Sequence, residues 1–121
     1  MKQPTKKSTK EMKTTEDQLK LFSTISPLLI SAFNEVKEFS KKKQDELLNL
    51  KKVKMINRLL EKAKVVLKNE PTIDFLDMLD EDDLPSNSDA VLIMSQFIAA
   101  MNKFRSDHYH SYNWGIDDNG E

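Results

Sequence analysis

Not one glycine stands before Gly115 in this 121-residue chain, and only four prolines interrupt it. A β-sandwich or barrel needs a turn roughly every 8–12 residues, and turn formers at that density are missing. Apolar residues recur instead in steps of three and four. The first set is Leu29, Ala32, Val36 and Phe39, and the second is Val53, Ile56, Leu60, Ala63 and Leu67. Ala90, Met94, Phe97, Met101 and Phe104 form the third. Such spacing keeps each set on one side of an α-helix.

The flanking residues suggest where each helix begins and ends. Thr14 or Thr15 caps the first, with Glu16, Asp17 and Gln18 suited to the unpaired N–H groups of a first turn. Leu19, Phe22 and Ile25 extend its stripe backwards. Ser26-Pro27 interrupts it, because proline lacks the N–H and disfavours a helical conformation in the residue before it. Either one helix is kinked there or a new one starts with Ser26 as its cap. Residues 40–44 form the predicted turn, Asp45 caps the next helix over 46–69, and Asn69-Glu70-Pro71 stops it. Thr72 then caps a short helix with Ile73, Leu76 and Leu79 inward and Asp74, Asp77 and Asp80 outward. The last helix begins near Ser86 or Ser88 with Asp89 in its first turn. It is apolar nearly all round, which predicts a place at the bundle centre or at a subunit interface.

These elements predict an all-α fold, an antiparallel helical bundle of three long helices plus one or two short ones. The bundle occupies residues 14–109. Residues 1–13 are Lys- and Thr-rich and read as a flexible N-terminal tail. Residues 110–121 read as a polar C-terminal tail in which Trp114 is the candidate anchor.

Charge is balanced overall, at a formal net −1, and segregated locally. Residues 37–68 hold eleven lysines and arginines against four acids, whereas residues 70–89 hold eight acids and no base. Within the acidic block, Phe75, Met78 and Leu84 lie among Asp74, Asp77, Asp80, Glu81, Asp82 and Asp83 without an evident core role. Acidic and apolar side chains so mixed can steer a basic surface in and then anchor it, so this segment is a candidate partner-binding site. Lys51, Lys54, Arg58 and Lys62 cluster opposite the second helix's apolar stripe and are a candidate nucleic-acid contact, against the plainer reading of a solvated helix face. On the last helix, Leu92, Ile93, Ile98, Ala99 and Ala100 widen the apolar surface beyond one seam, a candidate homodimer face.

The chemistry that is absent narrows the function. Without cysteine there is no disulfide, thiol nucleophile or Cys-based zinc site. The glycine-free stretch rules out a P-loop, a dinucleotide fingerprint and an EF-hand loop in Asp80–Asp83. His108 and His110 lack the spacing of zinc ligands and are expected to be polar surface. No serine sits in a G-x-S-x-G context. The expectation is therefore a small non-enzymatic helical module, an adaptor or regulator, that binds another protein without metal or cofactor. It acts as a homodimer if the last helix pairs, and a nucleic-acid-associated regulator is the second reading. No apolar run reaches the roughly 18 residues of a membrane span. No secretory signal is visible, and a cytoplasmic location follows by default.

Overall fold

The computed structural model describes the backbone of residues 2–109 and the side chains of residues 16–108. Trp114 and His110, and with them the predicted C-terminal tail, lie outside the described residues. Among the described residues there are three α-helices: α1 (Lys2–Lys42), α2 (Leu50–Val66) and α3 (Asn87–Phe104). A 3-10 turn, Pro71–Phe75, and a π-helical turn, Arg105–Tyr109, accompany them. Among the described residues there is no β-strand, only a single bridge between Leu47 and Ser86, so the fold is all-α.

Pro27 lies inside one continuous α1. The carbonyl of Ser23, which Pro27 cannot serve, belongs to an exposed residue on the water side of the helix. In the preceding turn Ser23 Oγ donates to Leu19 O at 3.1 Å and Thr24 Oγ1 to Lys20 O at 3.0 Å. The backbone of residues 2–13, expected as an irregular tail, continues α1 as helix. Pro4 falls in the first turn, where a missing N–H leaves nothing unmet. Once a helix has nucleated on packed residues, each added residue gains a hydrogen bond without repeating the nucleation cost.

Asp45 does not cap α2. Asn49 does, its side chain accepting from Lys52 N at 2.9 Å. The helix starts at Leu50 rather than 46 because the preceding segment is drawn out against the start of α3. Leu48 N donates to Pro85 O at 2.8 Å, Asn87 N to Glu46 O at 2.8 Å, and Ser88 N to Gln44 O at 3.1 Å. At its far end α2 stops at Val66, with the Leu67 N–H turned back to Ala63 O. Thr72 does not open an α-helix; Pro71 opens a 3-10 turn, and the chain is extended from Leu76. Leu76 and Leu79 are nevertheless buried, as their spacing implied. Ser86 caps α3, accepting from Asp89 N at 3.1 Å.

The predicted alternating topology needs correction. Gln18 Nε2 donates to Val66 O at 2.7 Å, and Lys52 Nζ stands 5.0 Å from the Phe39 ring centroid, so α1 and α2 run in opposite directions. Phe22 meets Phe104 with ring centroids 5.8 Å apart, while Asn87 Nδ2 donates to Lys43 O at 2.8 Å. Hence α1 also opposes α3, and α2 and α3 point the same way. At about 1.5 Å per residue α2 is roughly 26 Å long. Residues 67–86 contain enough chain to travel back along it, which a tight turn could not do. The helix packed extensively against both others is α1, not α3.

The three stripes meet in one interior. Leu29, Val53, Leu60, Val66, Leu67, Met94, Phe97 and Phe104 are fully buried there. Each buried apolar side chain of that size contributes about 1.5–3 kcal/mol. The exposed Lys41–Glu38 pair at 3.2 Å adds little by comparison.

Candidate functional site

Between α1 and α2, on the side away from α3, the two helices leave an open groove of about 470 Å³. From α1 it is lined by Leu28, Ser31, Ala32, Glu35, Val36 and Phe39, which recur at helical spacing along one edge of the core stripe. From α2 come Lys52, Met55, Ile56, Arg58 and Leu59. Small side chains create the space: Ser31 and Ala32 stand in mid-seam where larger ones would have filled it. Leu28 is 53% exposed and Met55 54%, both large apolar side chains facing water at the groove. Lys52 rests its ammonium on the Phe39 ring, so that end is apolar below and cationic above. A second depression of about 450 Å³ shares Phe39 and Lys52 and continues the seam past Leu47.

Lys51, Lys54, Arg58 and Lys62 are all exposed, as their spacing implied. Arg58 stands on the groove itself. No ion pair joins these four to the acidic segment among the described residues.

The acidic segment lies on the other flank of α2. Asn57, two positions from Met55 and so about 200° around the helix, holds it by both amide atoms. Asn57 Nδ2 donates to Leu79 O at 2.8 Å, and Leu79 N donates to Asn57 Oδ1 at 2.9 Å. Glu81 Oε2 accepts from the same Nδ2 at 3.2 Å. The side chains expected to act together here are divided by this anchoring. Met78 and Leu84 are half-buried and pack on the core. Phe75 is 73% exposed, and Asp74, Asp77, Asp80, Glu81, Asp82 and Asp83 face solvent. Asp80 Oδ1 accepts from Asp82 N at 2.8 Å and Asp83 N at 2.9 Å. Its carboxyl is held below the ordinary range, first by the Asp83 N–H and then by that of Asp82.

The candidate dimer face on α3 is divided too. Leu92 and Ala99 are exposed, Ile93 and Ile98 are half-buried against the core, and Ala100 is buried. Packing along α1 occupies much of the apolar width of α3, and Ala100 belongs to the interior rather than to that face.

At the end of the bundle His108 donates its Nε2–H to Glu70 Oε2 at 2.8 Å and stacks, tilted, on Phe104 with centroids 4.4 Å apart. One turn earlier Lys103 Nζ donates to Asp107 Oδ2 at 2.8 Å. That bond lowers the Asp107 carboxyl and raises the Lys103 ammonium from their ordinary values. Among the described residues no three His, Asp or Glu side chains converge as metal ligands, and no helix is long and apolar enough to cross a membrane.

Two features escaped sequence reasoning. The groove requires Ser31 and Ala32 to face Met55, a juxtaposition made by packing. Asn57 borders the α2 stripe, and an amide beside buried Ile56 was the one available signal. Comparison with models of protein families, with curated proteins and with solved structures finds no match.

Proposed function

We propose that this chain is a non-enzymatic protein-binding module whose α1–α2 groove receives an amphipathic, acidic segment of a partner protein. The observation that carries this reading is the groove's composition: an apolar floor with exposed Leu28 and Met55, bordered by the two cations Lys52 and Arg58 against the single acid Glu35. Apolar anchors in a helix-lined groove supply affinity, and complementary charge sets orientation and encounter rate. Ser31 is the groove's only uncharged polar side chain and Glu35 its only acid, and no histidine lines it; so largely apolar a lining supports recognition rather than bond-making.

A fluorescent helical peptide with leucines at i, i+4 and i+7 and glutamates on its outer face is the probe. Saturable binding is expected, weakened by Met55→Glu or Leu28→Glu, reduced by Arg58→Glu, and absent for the same peptide with lysines replacing glutamates. Equal binding of both peptides, or indifference to Met55→Glu, overturns the reading.

The exposure of Lys51, Lys54, Arg58 and Lys62 on α2 favours a second reading, nucleic-acid association. It requires a salt-sensitive mobility shift with duplex DNA that is lost on charge reversal at Lys54 and Arg58. Unchanged migration of the duplex rejects it.

A further inference from the structure

The chain carries, on its own surface, a segment with the chemistry its groove fits. Phe75 is 73% exposed at the end of the 3-10 turn. It stands between exposed Asp74 and Asp77, neither of which has an ion-pair partner among the described residues. An aromatic ring flanked by carboxylates complements an apolar trough where Lys52 and Arg58 outnumber the single acid Glu35. Position on the helix prevents a chain from filling its own groove. The acidic segment is fixed to α2 at Asn57, whereas Met55 opens on the opposite flank about 200° away.

We infer that the Phe75 ridge of one copy seats in the α1–α2 groove of a second copy. This rests on the reading that the groove binds an acidic, apolar-studded protein segment, and it names that segment. Ridge and groove are different surfaces on opposite flanks, so the contact is heterologous. Each docked pair still presents one free ridge and one free groove, and assembly proceeds head to tail rather than stopping at a symmetric pair. Surface positions make the necessary variants safe for the fold, because neither Phe75 nor Met55 is part of the buried core.

Sedimentation velocity of the full chain over a rising concentration series tests this, with melting curves to verify folding. The mean mass is expected to climb from the 14.0 kDa monomer through dimers to larger species. Phe75→Ala and Met55→Glu should each shift the midpoint to at least about tenfold higher concentration, since each removes an apolar anchor that docking covers. Raising NaCl to about 0.5 M should weaken assembly by screening the carboxylate–ammonium attraction. Mixing the two variants is the sharpest arm. Phe75→Ala keeps its groove and Met55→Glu keeps its ridge, so the mixture should form one-to-one dimers and stop there. A chain that stays monomeric throughout overturns the inference, as does a dimer indifferent to both substitutions. If the acidic probe peptide still binds such a monomer and is lost with Met55→Glu, the groove reading stands and only self-recognition fails. If the peptide does not bind either, both fail.

Discussion

Three buried amides hold the backbone where helices alone would not specify its path. Gln18 reaches the last carbonyl of α2, Asn57 grips Leu79 from both sides, and Asn87 ties the end of α1 to the start of α3. Asn57→Ala leaves the Leu79 N–H and C=O without their partner in a buried setting, at about 1–3 kcal/mol for each group left unmet. Chemical denaturation should show that loss, and the Leu79 amide should lose its protection in hydrogen exchange. Asp80 offers a pH-dependent counterpart. Its carboxyl is depressed by two backbone N–H bonds, so its contribution is complete above the ordinary carboxylate pKa and fades as pH falls through the depressed one. Carboxyl-detected NMR should place its midpoint below that of solvated aspartates, and Asp80→Ala should abolish the acid-dependent loosening of residues 80–83. Amides of this kind are hard to read in a sequence. Asn57 and Leu79 lie 22 positions apart, and an asparagine on a helix has several innocuous explanations. The apolar residues of the same segment were easier, and Leu76 and Leu79 are inside as their spacing required.

The helices show why periodicity is dependable and boundaries are not. Ala90, Met94, Phe97, Met101 and Phe104 were legible as one stripe, and every one of them is buried. Phe97→Ala should cost about 3–5 kcal/mol, because a large ring would be replaced by a cavity in a close-packed interior; a melting curve measures it. Helix ends answer instead to distant partners. Asp45 had the chemistry of a cap, yet hydrogen bonds to residues 85–88 keep its segment extended and pass the role to Asn49. Pro27 posed a choice between a kink and a new helix that local chemistry alone did not decide. Since α1 is continuous through it, Pro27→Ala should restore the bond to Ser23 O and raise the melting temperature. The gain has an upper bound of about 3 kcal/mol, the penalty for proline in a helix interior.

For the whole molecule, charge segregation was legible because it is a matter of composition along the chain, whereas the groove and the shared direction of α2 and α3 depend on which faces meet. The 20-residue interval over 67–86 was the available hint of a long return. The absence of cysteine makes the topology simple to test. Spin labels at positions 51 and 89, near the starts of α2 and α3, should lie closer together than labels at 51 and 103. The reverse order would restore the alternating arrangement. The bundle's two ends are also fastened unequally. Where residues 43–48 meet 85–88, four inter-segment bonds are shared, three from backbone N–H groups and one from the Asn87 amide. At the far end there are two, the buried Gln18 amide on Val66 O and the partly solvated His108–Glu70 bond. Thermal breathing is accordingly polar: strain or heat parts the rods first beside the imidazole and travels toward the stitched loops, like a clothes-peg opening about its spring.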